Sequence, residues 1–299
     1  MSIRPIKRIV QAKPTIEGAG VKLRRAFGFG NTHEFDPFLL FDDFRNESPE
    51  DFLAGFPWHP HRGIETITYV LAGSVAHGDS LGNKGEMAAG DVQWMTAGSG
   101  ILHQEMPKGD PRGRMHGFQL WANLPSSLKM TDPRYQDIPA RDIPEVTDDD
   151  GTHVRVVCGD FWGKTGPVQG VAADPRYLDV WVPPGKRKTL PVETTRHAFA
   201  YVFEGSGSFR DASQPLEPKT EIVGSPAAAG ETGNRSLVLF DSGDEVTVQA
   251  GDQGIRFLLV SGKPIEEPVA WYGPIVMNTP EQLRQAYEEL QDGTFIKKR

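Results

Sequence analysis

Cysteine is nearly absent from this chain, which excludes whole classes of site. Cys158 is the single cysteine among 299 residues, so there is no disulfide and no CxxC metal or redox motif. This usage is typical of a reducing compartment, and the one thiol is expected to be buried and inert. Any metal ion must therefore be bound through nitrogen and oxygen ligands.

Long apolar runs and excess positive charge are also missing. Apolar stretches such as 38–41 and 257–260 are far shorter than the roughly 20 residues that cross a bilayer. The basic segment 1–8 is not followed by the apolar segment of a secretory signal. The net charge of −8 and the pI near 5.5 disfavour direct contact with nucleic-acid phosphates and suit protein partners better. Together these features predict a cytoplasmic protein without a membrane segment.

Glycine and proline, in contrast, are abundant and separate short β-branched and aromatic runs. With 33 Gly and 24 Pro the chain turns often, which favours an all-β fold over a helical bundle. The strands predicted in the first half, at a spacing typical of a small antiparallel barrel, are 65–71, 74–77, 92–95 and 117–122. Residues 125–151, rich in Pro and Asp, are predicted to be a connector that ends in a solvated turn at 148–151.

Two segments carry side chains that suit a metal ion. His59 and His61 are spaced i, i+2, and so are His103 and Glu105. In extended strands this spacing places both side chains of a pair on one face, so two neighbouring strands would present three imidazoles and one carboxylate to one point. Such a set suits a divalent first-row ion, with Fe, Mn, Co, Ni, Cu and Zn all open. Because an ion that prefers six ligands would keep two free positions, we predict a catalytic or sensory site.

The second half of the chain repeats the first in weakened form. Residues 200–206 match 68–74 in their Tyr-Val and Gly-Ser pattern. The residues that align with the four predicted ligands are Pro191, Glu193, Arg256 and Leu258. Because these cannot form the same site, we predict a metal-binding domain at 1–135 and a degenerate copy without ligands at 136–299.

A C-terminal helix is the clearest helical segment of the sequence. Thr279 is a suitable N-cap, Pro280 fits the first helical position, and Gln282 completes a capping box. Apolar residues then recur at helical spacing, and Gly293 is placed to end the helix.

The segments around the predicted ligands resemble one known family. The run His-Pro-His-Arg-Gly-Ile-Glu-Thr at 59–66, the run before His103, the opening segment 18–40 and the tail 273–279 are similar to those of the pirin family of bicupins. The resemblance covers nearly the whole chain. It implies two antiparallel jelly-roll cupin barrels with a short C-terminal helix. It also implies one iron or similar divalent ion in the N-terminal cupin, held at the positions of His59, His61, His103 and Glu105.

The resemblance leaves the activity open between an enzyme and a regulator. Several bacterial pirins resemble quercetin 2,3-dioxygenases, which open the flavonol ring with dioxygen and release carbon monoxide, whereas the mammalian member is an iron-dependent nuclear co-regulator of transcription. The leading hypothesis is a dioxygenase that takes a flavonol and O2, with Fe(II) as the metal and Glu105 as both ligand and base. The alternative is an iron-dependent redox sensor that binds a transcription factor or a metabolic enzyme. A cupin isomerase or decarboxylase that needs no dioxygen is a third hypothesis.

Other candidate residues are expected to have ordinary structural roles. Glu65 shares strand parity with the first two histidines and is predicted to orient one of them without binding the metal. The Ser126-x-x-Lys129 match to serine acyl-transfer enzymes is attributed to chance. The histidines without a partner at ligand spacing, predicted to be core or surface residues, are His33, His77, His116, His153 and His197. The side chains of which about half are expected to line a pocket are Phe56, Trp58, Trp94, Met95, Phe118 and Trp121.

Overall fold

The computed structural model describes residues 2–210 and 231–297, and most of this chain is β structure. The strands of the first half are β1 (Ile6–Gln11), β2 (Lys13–Glu17), β3 (Val21–Phe27), β4 (Phe38–Asp43), β5 (Phe56–His61), β6 (Ile64–Ala72), β7 (Ser74–Asp79), β8 (Lys84–Met87), β9 (Val92–Thr96), β10 (Ile101–Lys108), β11 (His116–Asn123), β12 (Arg134–Ile138) and β13 (Glu145–Thr147). Those of the second half are β14 (His153–Cys158), β15 (Asp160–Phe161), β16 (Lys164–Thr165), β17 (Arg176–Val182), β18 (Arg187–Pro191), β19 (His197–Phe209), β20 (Thr232–Gly233), β21 (Ser236–Phe240), β22 (Glu245–Gly262), β23 (Ala270–Tyr272) and β24 (Ile275–Met277).

Helical structure in the described chain is short. The two α-helices are α1 (Thr32–Phe35) and α2 (Pro280–Gln291), and the 3-10 turns are Pro49–Asp51, Ser126–Leu128 and Ala140–Asp142. No helix within 2–210 and 231–297 has the length and apolar character needed to span a membrane. The all-β prediction is therefore confirmed.

The chain divides into two compact units that are not its two halves. The N-terminal unit comprises Lys13–Ile143, Pro167–Asp174 and Pro264–Arg299, and the C-terminal unit comprises Met1–Ala12, Pro144–Gly166 and Pro175–Lys263. The single boundary predicted between 135 and 136 does not reproduce this division, because each chain end joins the unit that is distant in sequence. β1 pairs antiparallel with β21, and the segment from Pro264 onward returns to the N-terminal unit.

The N-terminal unit is a jelly roll of two antiparallel sheets. The larger sheet has the order β12-β9-β6-β11-β4-β3-β2, and the smaller has the order β5-β10-β7-β8. The four strands predicted in this region are confirmed as β6, β7, β9 and β11. The predicted connector is more ordered than expected, since β12 within it pairs with the edge strand β9. Its acidic end is a turn, as predicted, in which Asp148 accepts the backbone N–H groups of Asp150 and Thr152.

A polar row crosses the inner face of the larger sheet and brings hydrogen-bonding groups to the interior. Gln119 on β11 lies opposite Asp42 on β4 and opposite Thr68 on β6, and Thr68 lies opposite Gln93 on β9. Residues that face each other across antiparallel strands point to the same side of a sheet. The side chains of Asp42, Thr68 and Gln93 are buried. Polar groups therefore occur side by side at one level of this sheet.

The described residues of the C-terminal unit form a nine-stranded sheet around an apolar core. The core is built from Val, Leu, Ile, Phe and Ala side chains that alternate along β14, β17, β19, β21 and β22. Arg256, one of the residues aligned with a predicted ligand, forms a bidentate ion pair with Asp179 instead. Cys158, the single cysteine, is buried in this unit, as expected.

The C-terminal helix follows its sequence pattern closely. Thr279 accepts the backbone N–H of Gln282, and the Gln282 side chain accepts the backbone N–H of Thr279, which completes the capping box. Pro280 occupies the first turn, and Gly293, with φ of +71°, follows the C-cap. The apolar stripe packs on β24 and on Phe295 within the N-terminal unit. The predicted helix is confirmed at both ends.

Candidate metal centre

Three histidines meet at the junction of β5 and β10. His59 lies directly opposite His103 in the antiparallel register, and His61 lies two residues along β5 on the same face. The ring centroids are 4.9 Å apart for His59 and His61, 4.4 Å for His59 and His103, and 5.0 Å for His61 and His103. One nitrogen from each ring lies within 4.8 Å of the other two. The i, i+2 spacing therefore brings the imidazoles together as predicted.

Hydrogen bonds to carbonyl groups determine which ring nitrogens are free. His59 Nδ1 lies 2.9 Å from the Pro57 carbonyl, and His61 Nδ1 lies 3.2 Å from the Pro274 carbonyl. Because a carbonyl can only accept, both Nδ1 atoms carry the proton and both Nε2 atoms of the neutral rings present lone pairs. The two Nε2 atoms are only 3.1 Å apart. This separation is short enough for both nitrogens to bind one ion.

The surroundings keep all three imidazoles neutral. Burial lowers the pKa of His59, and burial together with the neighbouring imidazoles lowers the pKa of His61 and of His103 well below the usual range. His103 is 1% exposed, and neither of its ring nitrogens has a hydrogen-bond partner among the described residues. Buried polar atoms without a partner are costly unless a ligand satisfies them. Neutral, converging and unpartnered nitrogens fit a divalent metal ion, and the group could hold one.

Glu105, the fourth predicted ligand, is buried nearby but outside this group. The group of ligand atoms within 4.8 Å of one another contains the three histidines and not Glu105, as far as the described chain goes. A register shift between His103 and Glu105 places Glu105 opposite Phe56, and its carboxylate is hydrogen-bonded across to the larger sheet. Burial raises the pKa of Glu105 to about 7. Its part in coordination stays a prediction.

Two side chains of the polar row hold the Glu105 carboxylate. Thr68 Oγ1 lies 3.2 Å from Glu105 Oε1 and 2.7 Å from Gln119 Oε1. Gln119 Nε2 donates to Glu105 Oε2 at 3.4 Å. A threonine hydroxyl has one proton to donate, so its bonds to Gln119 and to Glu105 compete. The carboxylate is thus held by one long and one shared hydrogen bond, which is a weak restraint.

The histidine group opens onto a large cavity inside the N-terminal unit. The cavity has a volume of about 820 Å³, and His59, His61 and Glu105 form part of its wall. Most of the remaining wall is apolar and aromatic. Of the side chains considered for such a pocket, Phe56, Trp58 and Trp121 line it, while Trp94, Met95 and Phe118 are buried in the core instead.

The segment after residue 264 forms a further part of the site. No motif near the predicted ligands indicates this contribution. Residues 271–274 line the cavity, and the Pro274 carbonyl is the group that fixes the tautomer of His61. The Trp271 ring lies 6.1 Å from that of Trp121, which in turn lies 5.1 Å from the His61 ring. The only sequence signal for this contribution was the family resemblance of the tail at 273–279.

A buried lysine attaches this segment to the turn that follows β5, the strand of His59 and His61. Lys129 donates to the carbonyls of Gly63 at 2.8 Å and Val276 at 3.0 Å, and to the Asn123 side chain at 2.6 Å. Burial lowers the pKa of Lys129 to about 7. The lysine therefore has a structural role, while Ser126 bonds to Glu267, so the Ser-x-x-Lys spacing brings no Ser–Lys contact.

Gly63 shows how closely the two segments approach. Its φ is +76°, and a β-carbon placed on it would lie 1.9 Å from the Val276 carbonyl oxygen. We expect Gly63→Ala to lower the free energy of unfolding by about 2–4 kcal/mol, because backbone strain and a backbone clash add. Gly82→Ala is the matched control, since Gly82 has φ of +88° and open space around it. It should cost only about 1–2 kcal/mol, the strain alone. Urea unfolding measures the free energy of unfolding of both variants. Equal losses in the two would contradict the close approach of Gly63 to Val276.

The remaining sequence candidates are not members of the histidine group. Glu65 accepts a hydrogen bond from Thr96 at 2.7 Å. His59 and His61 bond to carbonyl groups and His103 has no hydrogen-bond partner in the described chain, so the expectation that Glu65 orients a histidine is not met. His77 is buried 3.0 Å from Gln93 and stacks on Tyr135. His153 contacts Thr147 and Glu145.

Comparison with known proteins agrees with this architecture. Two family models match the chain, one described as Pirin over residues 20–122 and one described as the Pirin C-terminal cupin domain over residues 177–296. A pirin-like protein of Caulobacter vibrioides is 44% identical over 296 residues, which is 99% of this chain and 100% of the relative.

Solved structures extend the comparison to the fold. A crystal structure of quercetin 2,3-dioxygenase from Acinetobacter baumannii has a TM-score of 0.85 at 30% identity, with 98% of this chain and 99% of that chain covered. A bacterial pirin from Escherichia coli in complex with nickel(II) has a TM-score of 0.63 at 21% identity, with 86% and 99% covered, and shares the fold. By its family models, its relatives and its two-cupin architecture, the chain belongs to the pirin family.

Proposed function

We propose that this protein is a metal-dependent dioxygenase that opens the central ring of a flavonol with dioxygen and releases carbon monoxide. The observation that carries the proposal is the histidine group, of which His59 and His61 form part of the wall of a cavity of about 820 Å³. Cavities that bind drug-sized ligands measure about 300–1,000 Å³ and are mostly apolar with a few convergent polar groups. A three-ring flavonol suits a cavity of this size, and similarity to the Acinetobacter quercetin 2,3-dioxygenase supports the same substrate class.

His59, His61 and His103 would hold the metal, with Glu105 as the proposed fourth ligand and Fe(II) as the expected ion. Bound there, such an ion would supply redox or Lewis-acid chemistry and would favour ionisation of the flavonol hydroxyl. The donor set has no thiolate, which suits a redox-active or Lewis-acidic ion at an open catalytic site.

Glu105 is the residue that can take the proton of the substrate 3-hydroxyl. It is buried in the cavity wall, and it is restrained only by the long bond from Gln119 and the shared proton of Thr68. A weakly held carboxylate can turn toward the histidines or toward a bound hydroxyl without breaking strong bonds. Trp121 and Trp58 offer flat faces in the cavity wall for an aromatic ligand, and most of the remaining wall is apolar.

The test is turnover by protein loaded with one metal at a time. Metal-free protein is reconstituted separately with Fe(II), Mn, Co, Ni, Cu or Zn and mixed with quercetin in air and without oxygen. We expect flavonol absorbance to decay and carbon monoxide to form only in air. Glu105→Gln should lower kcat about 10²- to 10⁴-fold, the usual contribution of a positioned base. Glu86→Gln, an exposed change on β8, is the control and should leave kcat unchanged.

Two results would count against this proposal. Protein that binds metal but turns over no flavonol with any of these ions is not a flavonol dioxygenase, and the regulatory hypothesis would then take its place. Turnover that continues without oxygen would instead indicate an isomerase or decarboxylase.

A further inference from the structure

The cavity has a second polar end, separate from the histidine group. Arg25, Asp42 and Glu17 all line it, and the apolar side chains of strands β3 and β4 surround them. Arg25 donates from Nε to Asp42 Oδ1 at 2.8 Å and from Nη2 to Asp42 Oδ2 at 2.7 Å. Its Nη1 lies 2.9 Å from Glu17 Oε1. None of these three residues takes part in the chemistry proposed above.

The distance between the two polar ends follows from the sheet. Asp42, Gln119 and Thr68 lie side by side on β4, β11 and β6 and share one face. Neighbouring strands are about 4.8 Å apart, so Asp42 is about 10 Å from Thr68, whose hydroxyl contacts Glu105. A flat ligand of two or three rings can reach both ends at once.

The charge of this end indicates what it binds. One guanidinium faces two carboxylates, so the cluster carries a net negative charge and would repel an anionic group. Asp42 is 4% exposed, and although burial raises its pKa to about 6, it is ionised at neutral pH. Each carboxylate oxygen that accepts from Arg25 keeps a second lone pair for another donor. The phenolic hydroxyl of a flavonol is a neutral donor that can bond to it from inside the cavity.

We propose that Asp42, held in place by Arg25, is a hydroxyl-recognition subsite for a phenolic ring of the ligand. The inference rests on the proposed function, since it assumes that the 3-hydroxyl and 4-keto oxygens of a flavonol face the histidines. It assigns the preferred substrates as flavonols that carry a free phenolic hydroxyl at the far end, and it disfavours ligands that carry an anionic group there.

Binding measured without turnover tests the subsite. Metal-loaded protein under nitrogen is titrated with quercetin and with 3-hydroxyflavone, which keeps the chelating oxygens and lacks the other hydroxyls. Tryptophan fluorescence reports binding because Trp58 and Trp121 line the cavity. We expect quercetin to bind about 10- to 100-fold more tightly, the value of one hydrogen bond to a charged group. In Asp42→Asn this ratio should fall to about 3-fold or less, because a neutral amide that competes with Arg25 is a poor acceptor.

A second variant guards against loss of folding. The double variant Arg25→Met with Asp42→Leu replaces the whole pair by apolar side chains, which is often neutral for stability. The matched control is Arg256→Met with Asp179→Leu, since that bidentate pair has nearly the same exposure and lies in the C-terminal unit. We expect the first double variant to lose the preference for quercetin while it keeps its affinity for 3-hydroxyflavone, and the control to keep both.

The binding results distinguish a failure of the subsite proposal from a failure of the dioxygenase proposal. If wild-type protein binds both flavonols with similar affinity, or if both subsite variants keep the preference, the subsite is wrong while the dioxygenase proposal stands. If wild-type protein binds neither flavonol, the substrate class itself is wrong, and the subsite falls with it.

Discussion

Replacement of His103 by alanine is expected to abolish stoichiometric metal binding and, with it, flavonol turnover. His103 supplies one of three converging nitrogens, and its ring has no other partner in the described chain. Loss of a residue that only supports a metal ligand typically costs 10- to 100-fold in affinity, so loss of a ligand should cost at least about 100-fold. Metal analysis of purified protein and calorimetric titration of the metal-free form measure the effect.

Thermal unfolding provides an independent readout of the same variant. A metal present at 100 times its Kd stabilises the wild-type protein by about 2.7 kcal/mol, because it binds only the folded state. We expect no such gain for His103→Ala. The metal-free variant should remain folded, because the replaced ring makes no hydrogen bond. His33→Ala on α1 is the control and should retain the metal and the gain in stability. Full metal content in His103→Ala would contradict the assignment of this centre.

The histidine group could be predicted from the sequence because it depends on strand geometry alone. An i, i+2 pair on each of two strands needs only extended backbone and one register, and β5 and β10 place His59 opposite His103. The position of the Glu105 carboxylate was harder to predict. Its position depends on a register shift beside His103 and on Thr68 and Gln119, two residues from the opposite sheet, and no local pattern indicates either.

Glu65 shows where strand parity stops being informative. The parity that linked it to His59 and His61 assumes a continuous strand, but β5 ends at His61 and β6 begins at Ile64. Gly63, with φ of +76°, lies between them and changes the direction of the chain. As a result Thr68, and not Glu65, contacts the cavity, and Glu65 bonds to Thr96.

The sequence also did not predict that the segment from Pro264 onward belongs to the N-terminal unit. The caps and apolar stripe of α2 follow from local rules, which is why its ends were predicted correctly. The helix packs on the adjacent β24, but its attachment to the rest of the unit depends on contacts distant in the chain, such as the hydrogen bond between Arg62 and Phe295, which are 233 residues apart. This contact also explains why the unit boundary differs from the predicted one.

Arg62 connects this segment to the histidines, and its loss should have the largest effect on stability. It follows His61 directly, is 2% exposed, and donates to the Ser99 carbonyl at 2.7 Å, the Glu289 carboxylate at 2.7 Å and the Phe295 carbonyl at 2.8 Å. Its guanidinium also lies 4.1 Å from the centre of the Phe295 ring. Arg62→Met leaves the buried Ser99 and Phe295 carbonyls without their donor, at about 1–3 kcal/mol each, so we expect a loss of about 3–5 kcal/mol of unfolding free energy.

The same change should weaken the metal site, which distinguishes Arg62 from a residue that only stabilises the fold. The backbone carbonyl of Arg62 accepts the N–H of Val276, two residues after the Pro274 carbonyl that binds His61 Nδ1. If α2 detaches, that carbonyl shifts, and we expect metal affinity to fall about 10-fold, as for other groups that orient a ligand. Arg284→Met on the same helix is the control, because its pair with Glu281 is exposed and should change stability by less than about 0.5 kcal/mol. Hydrogen exchange should show faster exchange of the amides in 270–297 in Arg62→Met alone. Unchanged metal affinity in a variant whose 270–297 amides exchange faster would show that the Pro274 carbonyl is not needed to orient His61.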